Sequence, residues 1–209
     1  MSKARGALRK FGSNWGGWRL DPTKIDAEST IISAGISHDA TFDHAVLTAF
    51  PKARVVCIDP TPLGVKTATT LATQFEGRVD VIPKALAPEG CVELSIGGSA
   101  ISELTASPTD PVYETITLSA VLDSYDDISV FKCDIEGSEY SILGGLKDDA
   151  IPQLCIEWHH WLSPNTLSLS DTLDAIRYIE SLGYYEIERK TNESWRVLQE
   201  SFFMKSSLF

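Results

Sequence analysis

The chain has 209 residues, 43% of them hydrophobic, which suits one domain, or one domain with an extension, around a sizeable core. Its formal net charge of −11 argues against nucleic acid as the main partner, because phosphate binding needs a basic surface. No apolar run approaches the roughly 20 residues of a membrane span, so no membrane partner is expected either.

The opening residues, MSKARGALRKFGSNWGGW, are basic but lack the apolar stretch of a signal peptide. They read either as a disordered basic tail, above all over residues 1–10, or as a Gly/Trp-rich lid over an acidic site. A boundary near residue 22 divides this leader (1–22) from the core (23–209). TIISAG (30–35) is a short buried strand. Phe42, Ala45, Val46, Ala49 and Phe50 follow at helical spacing, closed by Pro51. RVVCIDP (54–60) is a second strand. Thr61 and Pro62 then form the N-cap and first position of a second helix. RVDVIPKAL (78–86) is a third strand. Residues 91–118 hold no clear helix, and CVELSIG and ETITLSA read as short strands around a loop. DISVFKCD (127–134) is a strong strand leading into a helix, SEYSILGGL. PQLCIEWHH (152–160) repeats the strand pattern. Leu169, Leu173, Ile176 and Ile179 mark a last helix, and YYEIERK with SWRVLQESFFMK form an antiparallel hairpin. Alternating strands and helices predict an α/β fold with a mostly parallel sheet and helices on both faces. Cys57, Cys91, Cys133 and Cys155 are too dispersed for a metal-binding pair. Three lie in apolar runs, as small buried thiols do in a reducing cytoplasm, where the chain is expected to reside.

In an open parallel sheet the ligand lies at the carboxyl ends of the strands, near the switch in strand order. The first turn, SAGISHDATFD, has Gly35 but no GxGxxG, and it carries Asp39 and Asp43 around the helix start. Those acids suit the helix dipole and repel phosphate. A ligand with a positive centre and no phosphate fits better, which points to S-adenosylmethionine. Asp59 ends the second strand, where a ribose-binding acid is expected. Taken singly, Asp39 is an N-cap and Asp59 a turn residue; together, each at a strand end, they favour a nucleoside site.

ISAGISHDATFDHAV, VVCIDPTP, FKCDIEGSEYSIL and CIEWHHW resemble the FkbM-type methyltransferases and their methyltransferase-like relatives. FGSNWGGW upstream and ESFFMK near the end also resemble that group, so the likeness covers roughly residues 11–205. It implies a Rossmann-like, seven-stranded class I methyltransferase sheet and S-adenosylmethionine as methyl donor. It also implies O-methylation of a hydroxyl on a sugar or natural product as the small-molecule acceptor. Carried over residue by residue, it sets Ala34, Gly35 and Ile36 against the methionine part, and Asp59, with Pro60 and Thr61, at the ribose. Lys84 and Ala85 at the third strand's end join the cofactor-binding set, and Asp134 and Glu136 stand at the reaction face. Common methyltransferases have an acid two residues before the first glycine and often a glycine four residues after it. Here those positions are Ser33 and Asp39, which leaves Asp39 as the candidate partner of the methionine amine.

Methyl transfer needs an acceptor oxygen about 3 Å from the methyl carbon and a group to take its proton. Asp134, Glu136 and His159 are the candidate catalytic residues, with Asp134 also in the cofactor set. Glu139 reads as a plain charge at a helix start. Strand alternation puts Glu157 and His159 on one face. Carboxylate plus imidazole is ordinary metal ligation, as in Asp134 with Glu157 or His159, yet no spacing compels an ion and none is expected. Trp15, Trp18, Trp158 and Trp161 are stacking candidates whose default is core packing. A nucleotide-dependent oxidoreductase is disfavoured by the missing glycine fingerprint and the acidic turn. A methyltransferase-like module that binds without catalysis is the other alternative, since Ser33 and Asp39 depart from the common pattern.

Overall fold

The computed structural model of the chain describes residues 8–91, 93–95, 111–146, 151–161, 167–192 and 197–208. A leader hairpin, β1 (Arg9–Phe11) and β2 (Trp18–Leu20), precedes β3 (Thr30–Ala34), α1 (Thr41–Ala49), β4 (Arg54–Ile58), α2 (Pro62–Gln74) and β5 (Val79–Ile82). Then come β6 (Ala85–Leu86), β7 (Glu93–Ser95), β8 (Val112–Ile116) and α3 (Leu118–Leu122). The chain returns through β9 (Ile128–Cys133), α4 (Glu139–Ile142), β10 (Gln153–Glu157), α5 (Leu169–Ser181), β11 (Tyr184–Asn192) and β12 (Val197–Lys205).

The main sheet has seven strands in the order β11-β12-β10-β9-β3-β4-β5. Strands β10, β9, β3, β4 and β5 pair in parallel. Only β12 runs against its neighbours, pairing antiparallel with both β10 and β11, so the C-terminal hairpin forms as expected. Every residue of β3 and β9 is buried, as strands covered on both faces must be. Their period-2 alternation sorts the core into two halves. Ile31, Val55, Val130 and Cys155 face α1, α2 and the leader; Ile32, Val56, Phe131 and Leu154 face α3, α4 and α5. The strand order switches between β3 and β9, which places the crevice there.

Three expectations are corrected. The third strand, read as 78–86, breaks after Ile82, because Pro83 has no N–H to continue the ladder. Ala85 and Leu86 instead pair with β8 in a separate three-stranded sheet, β6-β8-β7. The ETITLSA run is a strand only to Ile116; Thr117 caps a short helix by accepting from the Ala120 N–H, which turns Leu118 and Val121 into the core. Lastly, residues 9 and 10 lie in a hairpin strand rather than a tail, while residues 1–7 fall outside the described residues. Parts of the CVELSIG and SWRVLQESFFMK runs also lie outside them.

The leader is folded onto the core through Phe11, Trp18 and Leu20, and the Asp21 N–H donates to buried Gln153 Oε1 at 2.7 Å. Leu20→Ala is therefore expected to lower stability by about 2–5 kcal/mol. Trp15→Ala, at a side chain that is 85% exposed, should stay within about 0.5 kcal/mol. Urea midpoints of the two variants check this; an unchanged midpoint for Leu20→Ala would make the leader an appendage.

Candidate active site

The carboxyl ends of β3, β4, β9 and β10 open into a cavity of about 620 Å³, walled on one side by leader residues 14–18. Strand ends meet here at van der Waals limits. Gly35 has φ +78°, and a Cβ on it would lie 1.6 Å from the Asp134 carbonyl oxygen, so only glycine fits. The Asp134 N–H donates to the Ala34 carbonyl at 3.1 Å, fixing the end of β9 against the end of β3.

Lys132, one residue before Cys133 in a wholly buried strand, points into this junction. Its ammonium donates to the Ala34 carbonyl at 3.1 Å and to the Gly35 carbonyl, and pairs with Asp134 Oδ2 at 3.6 Å. Burial opposes its charge, but Asp134 and buried Asp43 outweigh that and hold its pKa above the usual lysine value. Lys132 is not among the residues that the sequence motifs mark. A signal was available, because a lysine inside an apolar strand needs a partner.

The turn after β9 is built by Glu139. Its carboxylate is fully buried and accepts from the Ile135 N–H at 3.0 Å and the Gly137 N–H at 2.8 Å. Between them Glu136 is held at φ +57°, a conformation that costs a residue with a Cβ about 1–2 kcal/mol. The same carboxylate takes the His159 Nδ1–H at 2.7 Å. Glu139 thus positions both the turn and the imidazole, and the reading of it as a plain helix-start charge is corrected.

So oriented, His159 presents Nε2 to Glu136 Oε2 at 3.5 Å, Asp134 Oδ1 at 3.7 Å and Glu157 Oε1 at 3.9 Å. Burial opposes its charge, yet Glu139, Asp134 and Glu136 raise its pKa to about 10. Burial, and then repulsion from Asp134, push Glu157 up to about 7, and burial raises Glu136 and Glu200 as well. Asp39, Asp59, Asp134, Glu136, Glu157 and Glu200 line the cavity, against Lys132 and Lys190, so its acids outnumber its lysines.

The remaining predicted residues divide. Asp39 bridges the leader and α1: its carboxylate accepts from Ser13 Oγ at 3.0 Å and from the Thr41 N–H at 2.8 Å. Asp59, 5% exposed, accepts from the Ile36 and Ser37 N–H groups on one oxygen and from the Thr61 N–H and hydroxyl on the other. A carboxylate offers about four acceptor positions, and these four donors fill those of Asp59. Ile36, Pro60, Thr61 and Ala85 line the cavity alongside Asp134, Glu136 and His159. Ala34 is buried beneath it, and Lys84 turns away to Glu114 Oε2 at 2.9 Å. Trp15 and Trp161 edge the cavity, whereas Trp158 is core, its Nε1–H donating to Ser201 Oγ at 2.9 Å. His160 is buried against Thr172 Oγ1 at 3.0 Å. Cys57, Cys133 and Cys155 are buried, with thiol pKa values raised, and play no part in the site.

Residues 9–185 match the family described as Methyltransferase FkbM domain. No curated protein matches the chain. The fold is similar to that of the fibrillarin pre-rRNA processing protein of Methanococcus jannaschii, at 11% identity, over 95% of this chain and 83% of that one, with a TM-score of 0.55. It is also similar to the bifunctional kinase-methyltransferase WbdD, at 11% identity, over 85% of this chain and 34% of that one, with a TM-score of 0.51. At these identities the likeness is one of fold alone, and the fold is that of the class I methyltransferases. Among the described residues no helix is long and apolar enough to cross a membrane.

The charge state of His159 has a consequence for stability. Its folded pKa of about 10 lies above the ordinary 6.5, so its contribution is complete below pH 6.5 and is lost as pH rises towards 10. Melting temperature should fall across that window, and His159→Gln should flatten the fall. A wild-type profile that is level from pH 6.5 to 10 would show that the imidazole is not held as a cation.

Proposed function

The chain belongs to the FkbM methyltransferase family, and from that premise we propose that it methylates a hydroxyl oxygen on a sugar or small natural product, with S-adenosylmethionine as donor. One observation carries this reading: a cavity at the β3/β9 switch point whose acids outnumber its cations, beside a glycine that leaves no room for a Cβ. When bound, S-adenosylmethionine supplies an electrophilic methyl group on a sulfonium cation, and the acids suit that charge.

The chain's own residues do the rest. Lys132 pins the carbonyls of Ala34 and Gly35 and so fixes the shape of the first turn. Asp59 ties that turn to the start of α2 through Ile36, Ser37 and Thr61, setting the width of the nucleoside end. Asp39 holds the leader wall, which keeps water from that end. Asp134 orients the acceptor hydroxyl. With His159 Nδ1 held by Glu139 and Nε2 already facing three carboxylates, the acceptor proton passes first to a carboxylate. Glu136, at the cavity rim and with its pKa raised by burial, is placed to take it. Before any ion enters, His159 balances the charge of the neighbouring acids, and leader and core act as one unit around the site.

Calorimetry should show micromolar-range S-adenosylmethionine binding and no NAD binding. Asp59→Ala should weaken it by about 1.5–3 kcal/mol. Glu136→Gln should bind S-adenosylmethionine nearly as wild type yet turn over roughly 10²–10⁴-fold more slowly on a hydroxyl acceptor. Tight binding of NAD instead would overturn the donor, and full turnover by Glu136→Gln would overturn the base. Binding without transfer to any of a panel of sugars and natural products would make the chain a binding module.

A further inference from the structure

The geometry points to a divalent metal site at the carboxyl ends of β9 and β10, formed by Asp134, Glu157 and His159 Nε2 with Glu136 beside them. The donor atoms of Asp134, Glu157 and His159 all lie within 4.8 Å of one another. From Nε2 the carboxylate oxygens are 3.5, 3.7 and 3.9 Å away. These separations exceed the roughly 2.7–3.2 Å of a hydrogen bond. They match donors around one ion at about 2.1 Å, which stand about 3.0 Å apart at right angles, 3.4 Å apart tetrahedrally and 4.2 Å apart when opposed.

An acidic cluster alone would not distinguish an ion from solvent. The imidazole does. His159 is 2% exposed, and its Nε2 makes no hydrogen bond among the described residues although it is aimed into the cluster. Its Nδ1–H is fixed by the buried Glu139 carboxylate at 2.7 Å. A carboxylate holding one ring nitrogen while the other faces carboxylate oxygens is the arrangement that orients metal-ligating histidines. Gln199 in turn donates to Glu157 Oε1 at 3.1 Å and holds the second carboxylate in place. The imidazole favours a first-row transition ion, and the carboxylates suit Mn²⁺ among these, which makes Mn²⁺ the probe. On binding, the Nε2 proton leaves to solvent. Under the methyl-transfer reading the ion would face the acceptor oxygen. The existence of the site does not rest on that reading.

The test is titration of the whole chain with Mn²⁺, followed by loss of the free-ion electron paramagnetic resonance signal, with no acceptor present. One Mn²⁺ should bind per chain below about 100 µM, and His159→Gln and Glu157→Gln should each weaken it at least tenfold. Saturating S-adenosylhomocysteine should leave the stoichiometry unchanged. If His159→Gln fails to fold, Glu157→Gln decides, because its amide keeps the contact with Gln199. No binding at 1 mM, equal binding by the variants, or displacement by S-adenosylhomocysteine would overturn the site; displacement would assign the cluster to the ligand's ammonium. None of these outcomes alters the calorimetry that tests the methyl donor.

Discussion

Burying one carboxylate with a partner for each oxygen is the constraint on which the rest of this site depends. Glu139 has no solvent access, so it must be fully partnered or be strongly destabilising. Its partners are two amides of the turn after β9 and the imidazole after β10. One group therefore couples the ends of two adjacent strands. The left-handed Glu136 is held open by the same contacts, and His159 has one orientation because Glu139 allows one. A neutral glutamine would offer an acceptor on one side only and leave a donor facing donors.

The Asp59 end of the cavity is built on the same plan. Asp59 gathers four donors from two loops, and Lys132 gathers carbonyls from the first of those loops. A glycine stands where each close approach occurs: Gly35 against Asp134, Gly64 against the Asp59 carboxylate, and Gly16 against Asp39. Among the described residues, the framework around the cavity is thus held by its own hydrogen bonds.

Much of the fold was legible because its signals are local. Continuous apolar runs such as VFKC and LCIE mark strands covered on both faces, and Thr61-Pro62 marks a helix start whatever the tertiary context. Glu157 and His159 share a face as alternation requires, and Asp134 and Glu136 end the strand beside them. Other features depend on contacts distant in sequence. The role of Glu139 needs His159, which no spacing predicts. Lys132 was visible as an anomaly, but its target, the Gly35 turn, lies 97 residues away. The leader reads as tail or lid because only packing against β3 and α1 shows that Phe11 and Trp18 are core. Asp59 is at the expected strand end, yet the filling of its oxygens by backbone donors follows from the loop path.

The position of β12 bears on the order in which the molecule can be made. It is inserted between β10 and β11, and it alone pairs with the free side of β10. Until residues 197–205 have left the ribosome, the edge of β10 presents unpaired amides and carbonyls along an apolar strand, a surface prone to joining other chains. The Trp158 N–H, between Glu157 and His159, also waits for the Gln199 carbonyl, 2.7 Å away. The β10 side of the candidate site is therefore completed only once β12 has emerged and paired with it.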